Sequence, residues 1–321
     1  MRASARSATA VRDRPAGPAG WRRLHPQDLW VSLGSSLAGW TRLDVVVVMT
    51  LIMLLLHVQG FPTVPVQALA VAGLLYRPLS SRPAFWFTLV VVLAVGRLPF
   101  NWYSLVNHHF LMMYWLLALG LAFLSSRPDR VLSISGRTLL GLVFFFATLW
   151  KLISPDFIDG SFFEFTLMTD ARFEVVASTV GGLPGDASEG NTAALTAWWD
   201  PAVEPDAVDL ESGPGIAWIA HLMSLWGVAL EGVLALLFLV PWRSRRMARL
   251  REPALLLFIM TTYPFAPVIG FAWMLLAMAL SQSQWKAPTA EVSYTALFVL
   301  LHLFDESSVL WVVSRRLTGL G

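Results

Sequence analysis

The chain of 321 residues is 56% hydrophobic and only 14% charged, with a mean hydropathy of +0.62. A soluble globular domain is about a quarter charged, so the expected surroundings are a lipid bilayer. Cysteine is absent, which excludes disulfides, thiolate catalysis, cysteine-bound zinc and iron–sulfur clusters. The net charge of +2 and pI near 9.2 come from arginines beside apolar runs and do not indicate nucleic-acid binding.

The first 20 residues, MRASARSATAVRDRPAGPAG, are basic but contain no apolar segment. No cleavable secretory signal is expected there, and residues 1–25 read as a disordered cytoplasmic tail. In PQDLWVSLGSSLAGWT (26–41), Trp30, Leu33, Leu37 and Trp40 fall at helical spacing behind Pro26. That pattern predicts an interfacial helix lying along the membrane. Apolar runs that can cross a bilayer, roughly 17–25 residues each, then predict spans at 43–59, 65–80, 84–98, 108–125, 138–153, 216–241, 253–281 and 293–313.

Arginine placement tests that count, because cytoplasmic loops carry the Lys/Arg excess. Seven arginines run up to Arg42, Arg77 and Arg82 flank the next even loop, and Arg127, Arg130 and Arg137 mark the one after. RSRRMARLR follows span six, and Arg315–Arg316 lie near the C-terminus. Loop 154–215 is the opposite, with twelve acidic residues and a single Arg172. The expected fold is therefore an all-α polytopic membrane bundle of about eight transmembrane helices in the plasma membrane, both termini cytoplasmic. The membrane domain covers 26–315, with 154–215 an acidic extracytoplasmic loop inside it and 316–321 the cytoplasmic C-terminus.

Two segments depart from simple spans. TTYPFAPVIG places Pro264 and Pro267 in the middle of span seven, which predicts a kink or break. In the long loop, 161–179 is amphipathic enough to lie on the membrane. The Gly-, Asp- and Pro-rich remainder reads as flexible surface.

Ionisable groups inside spans are costly and can be weighed singly. Asn107, His108 and His109 open span four, where an interfacial polar cap is the simpler reading. Lys151, one of only two lysines among 23 basic residues, ends span five. Snorkelling accounts for it, but a desolvated Lys, unlike Arg, can also serve as a base. Spans four and five run oppositely, so 107–109 and 151 emerge on the same outer side and could share a pocket. His302, Asp305 and Glu306 line one side of span eight, as interhelical hydrogen-bonding groups or as a proton path or substrate pocket; with no matching second cluster, no metal is expected. Glu231, deep in span six, is expected to pair with a His or Arg of a neighbouring helix, Arg97 among them. His221 does not share its face. His57 reads as interfacial, and no phosphate-binding, dinucleotide, nucleophile-elbow or HExxH motif is present.

Asn107-His108 opening an apolar span, then Lys151-Leu152 followed by Phe157 and Gly160, together with VIGFAWMLLAMA (268–279), resembles the horizontally transferred transmembrane (HTTM) family. That family is related to the membrane domain of vitamin K-dependent γ-glutamyl carboxylases. The resemblance implies Lys151 as a base toward a quinone/hydroquinone, with Asn107 and His108 positioning the quinol oxygen. His109, Trp150, Phe157, His302 and Glu306 are the expected substrate contacts. Where the carboxylases carry a His and an Asn before the late signature, this chain has Ile259 and Thr262, and peptidyl-glutamate carboxylation is not expected. Three readings follow: a quinol- or lipid-linked membrane enzyme, a non-catalytic maturation or binding protein for a secreted peptide, and a secondary transporter. The last ranks third because no inverted repeat is visible.

Overall fold

The computed structural model describes residues 40–57, 63–101, 105, 107–198, 208–241, 244–263, 268–286 and 289–302. The interfacial helix predicted at 26–41 lies outside the described residues except at its last two positions, as does span eight beyond 302. All regular structure among the described residues is helical.

Helix α1 (Arg42–His57) begins with a reciprocal cap. The Thr41 N–H and hydroxyl donate to Asp44 (2.8 and 2.9 Å), and the Asp44 N–H donates to the Thr41 hydroxyl (3.3 Å), the arrangement of a capping box. Then follow α2 (Thr63–Leu75), α3 (Arg77–Ser80), α4 (Pro83–Asn101), α5 (Asn107–Leu124) and α6 (Pro128–Ile153). Predicted span five is thus the last part of a 26-residue helix. Pro128 at its first turn and Asp129 beside it favour a start there, and Arg130 and Arg137 only interrupt its apolar run. After the 154–215 segment come α11 (Ile216–Leu239), α12 (Arg245–Arg249), α13 (Arg251–Thr262), α14 (Ile269–Gln282) and α15 (Thr289–His302). Predicted span seven is two helices, α13 and α14, with Pro264 and Pro267 outside the described residues.

Among the described residues three helices are long and apolar enough to cross a membrane: α5, α6 and α11. Shorter apolar helices lie at Thr63–Leu75, Pro83–Pro99, Ile269–Gln282 and Thr289–Leu301. α14 is the hub. It is apolar all round up to Leu280, every residue except Phe271 is buried, and it packs against α1, α5, α6 and α15. An all-apolar helix belongs in such a position. Buried tryptophans are satisfied locally: Trp273 donates to the Phe298 carbonyl (3.0 Å), Trp115 to the Thr50 hydroxyl (3.0 Å) and Trp86 to the Ser80 carbonyl (2.8 Å). At one end of the bundle a polar knot ties the α14–α15 turn. Arg42 donates to Glu291 (3.0 Å) and to the carbonyls of Ser283 and Trp285, while Glu252 accepts from Ser283 (2.7 Å) and the Gln284 N–H (2.6 Å).

The described residues of the 154–215 segment are more ordered than its composition suggests. They form α7 (Pro155–Ile158), α8 (Ser161–Thr169), a 3-10 turn (Ala171–Phe173), α9 (Glu174–Thr179) and α10 (Ala187–Trp198). The Gly/Pro-rich remainder, expected as flexible surface, folds through residue 198. Leu167, Phe173, Ala177, Leu183 and Ala187 make a second small core on Ile216, Ile219 and Ala220 of α11. Asn191 staples it, donating to the carbonyls of Met168 (3.0 Å) and Glu211 (2.9 Å) and accepting from the Glu211 N–H (2.8 Å).

Candidate functional site at Lys151

α6 and α11 pack antiparallel, and their register continues past the end of α6. Gly141 meets Leu239, Thr148 lies against Gly232, Lys151 meets Glu231 and Gly160 meets His221. The stretch after α6 therefore runs beside the first turns of α11 instead of leaving the bundle. Gly160 permits this. Gly160 has φ +87°, and a Cβ there would lie 2.8 Å from His221 Nδ1, so a side chain is excluded both by conformation and by space. Gly227 leaves open the surface of α11 over which the Lys151 amine lies, 3.9 Å from where a Cβ would stand.

The Lys151 Nζ donates to Glu231 Oε1 in a close ion pair. Glu231 is buried, and the Lys151 side chain is 22% exposed. Nζ also sits 5.0 Å from the centroid of the Phe157 ring, within cation–π range. Phe157 is held from behind by Phe162 and Phe163, with centroids 5.4 and 5.1 Å away. The turn carrying it is fixed by Asp159, which accepts from the Ser161 N–H (2.9 Å) and hydroxyl (2.7 Å). Those bonds hold the Asp159 carboxyl below the usual aspartate range.

Two buried polar atoms on this face of α11 lack a hydrogen-bond partner among the described residues: Glu231 Oε2 and Ser224 Oγ. Residues 224, 227 and 231 share one helix face. Fully buried Tyr263, just after α13, lies within electrostatic reach of Glu231. The arrangement thus offers an ammonium and, beside it, a carboxylate oxygen free to accept one further hydrogen bond. Unsatisfied buried acceptors are uncommon in folded proteins.

The other sequence-predicted residues lie as follows. Asn107 is exposed and His108 and His109 are half-buried in the first turn of α5, their two rings 4.5 Å apart. They stand at the same end of the α5–α6 hairpin as Lys151. Trp150 is 73% exposed and Phe157 buried. His302 is the last residue of α15, its side chain outside the described residues, and Glu306 is outside them entirely. Glu231, expected to pair with a His or Arg, pairs instead with Lys151. Helical spacing within one span carries no information on register between spans, so no signal in the sequence joined 151 to 231. Among the described residues no cluster of three metal-ligating side chains occurs. An open groove of about 730 Å³ beside α10, lined by Glu174, Ser188, Glu189, Thr192 and Thr196, belongs to the folded 154–215 segment and not to the Lys151 site. No family model matches the chain, and neither a curated protein nor a solved structure is found similar to it.

Proposed function

We propose that the chain is an eight-span plasma-membrane protein of the HTTM kind, both termini cytoplasmic, that acts on a quinol- or lipid-linked ligand with Lys151 as base. The carrying observation is the part-buried Lys151–Glu231 pair beneath Phe157, with one carboxylate oxygen unpaired among the described residues. Lys can release a proton where Arg cannot; passing that proton to the Glu231 carboxylate it touches leaves a neutral amine that can take one from a ligand. In this reading Asn107 and His108, at the same end of the hairpin, position the ligand oxygen. Glutamate carboxylation is not part of the proposal, because Ile259 stands at the family's His position and is fully buried in the apolar core. Two measurements test the reading: mass spectrometry of the purified protein for a co-bound quinone or hydroquinone, and function of Lys151→Arg. An Arg variant with full function removes the base from the mechanism.

The folded helices α7–α10 favour a second reading, a non-catalytic membrane protein that binds or matures a secreted peptide. Its acidic, hydroxyl-lined groove suits a basic segment. Here Lys151→Arg is harmless and Glu189→Lys abolishes function.

A further inference from the structure

We infer that the groove beside α10 binds an extended peptide segment carrying an arginine, its guanidinium held by Glu189 and Glu174 and its backbone N–H groups by the threonines of α10. The inference rests on the second reading above. The groove, open and about 730 Å³ in volume, lies between α10 and the stretch that joins the 3-10 turn to α9. Four of its five polar side chains can only accept hydrogen bonds. Glu174 and Glu189 are carboxylates. Thr192 gives its hydroxyl hydrogen to the carbonyl of Ser188 or of Thr169 (both 2.9 Å), and Thr196 gives its own to the Thr192 carbonyl (2.8 Å). Their oxygens are left as acceptors. The fifth, Ser188, is only 4% exposed, and its hydroxyl takes part in no hydrogen bond among the described residues. A ligand must therefore bring donors.

Charge and spacing narrow the choice. The 154–215 segment carries twelve acidic residues and a single arginine, and that Arg172 is bound to Asp170. A cleft lined by one sign of charge draws in the other. Residues 189, 192 and 196 share one face of α10, and from Glu189 to Thr196 the helix rises about 10 Å. No single ammonium or guanidinium covers that length, whereas about three residues of extended chain do. Ala171, Ala193 and Ala197 line the groove beside the acceptors, and their small side chains let a peptide backbone lie close. Backbone N–H groups then reach the threonine oxygens, while the planar guanidinium presents paired donors to a carboxylate. A metal ion fits less well, because among the described residues no three metal-ligating side chains converge.

The test is fluorescence anisotropy of a dye-labelled, C-terminally amidated Ala-Ala-Arg-Ala-Ala peptide titrated with the purified full-length protein in detergent. Companion peptides carry Lys or the uncharged isostere citrulline at the centre. The Arg peptide is expected to bind about tenfold or more tighter than the citrulline peptide, with the Lys peptide between them. Glu189→Gln is expected to weaken the Arg peptide about tenfold and Thr196→Val about threefold. Asp209→Asn, which removes an exposed charge of the same segment outside the groove, is expected to leave binding unchanged. Thermal unfolding verifies that each variant is folded. The inference is overturned, and peptide binding itself left standing, if Asp209→Asn weakens binding as much as Glu189→Gln does. The same holds if folded Glu189→Gln or Thr196→Val binds like the wild type, or if Lys or citrulline matches Arg. Failure of the wild-type protein to bind either basic peptide overturns both the inference and the second reading.

Discussion

Gly136 of α6 lies directly against Met278 of α14, so close that a Cβ on Gly136 would stand 2.9 Å from the Met278 carbonyl oxygen and collide with the Ser281 hydroxyl. A hydroxyl can rotate away, but a helix carbonyl cannot. Gly136→Ala is expected to force α6 from α14 and lower stability by about 1–3 kcal/mol, the usual cost of overpacking. Thermal unfolding in detergent measures it. The double variant Gly136→Ala/Ser281→Ala is expected to recover only part of the loss.

The Lys151–Glu231 pair gives a second prediction. Removing one partner of a buried ion pair leaves an uncompensated charge and costs about 3–5 kcal/mol, whereas an apolar replacement of both is close to neutral. Lys151→Met, which strands the buried Glu231 carboxylate, is therefore expected to lower the unfolding temperature markedly, Glu231→Leu to lower it less because the Lys151 side chain is 22% exposed, and Lys151→Met/Glu231→Leu to restore most of the loss. Additive losses in this double-mutant cycle would show that the two side chains do not interact in solution.

Asn191 carries the third. With three hydrogen bonds to Met168 and Glu211 and 4% exposure, its truncation to Ala leaves two carbonyls and an N–H unsatisfied. A local loss of about 1–3 kcal/mol is expected, read as faster hydrogen exchange and proteolysis in 187–198. Asn191→Asp should be worse, since a carboxylate cannot donate to either carbonyl.

Acid should loosen the same segment. The Ser161 N–H and hydroxyl hold Asp159 below its ordinary value. At Asp170, burial pushes the carboxyl up, but hydrogen bonds from the Arg172 side chain and N–H, with its charge, outweigh burial and keep it low. A carboxylate whose folded value is depressed stabilises the fold above its unfolded value, about 3.9, and that contribution is lost as pH falls through the folded value. Protection factors in α8 are therefore expected to hold at neutral pH and to fall only below about pH 4. Asp159→Asn is expected to flatten that acid dependence.

Composition and run length read the chain as helical, and α5, α6 and α11 are the apolar runs predicted at 108–125, 138–153 and 216–241. Lys151 was legible as unusual because a chain of arginines isolates a lysine. Its partner was not, because which turn of α11 faces which turn of α6 is set by side-chain size. Gly141 and Gly160 fix that register through close approaches, and nothing in helical periodicity reports a close approach between distant segments. The order in 183–198 was hidden for a related reason. A core as small as that around Leu167 and Phe173 needs only five apolar side chains from the segment when α11 supplies the other wall.

α14 also bears on how the bundle is assembled in the membrane. Fourteen residues rise only about 21 Å, short of the ~30 Å hydrocarbon core, and its buried surface offers almost nothing to lipid. Such a helix gains little from leaving the insertion machinery alone. Its stability comes from neighbours made long before it, α1, α5 and α6, and from α15, made after it. On the eight-span reading, the earlier helices must wait with an open seam until α14 arrives. A truncation that ends before residue 269 is therefore expected to leave inserted but unassembled helices, the substrates of membrane quality control.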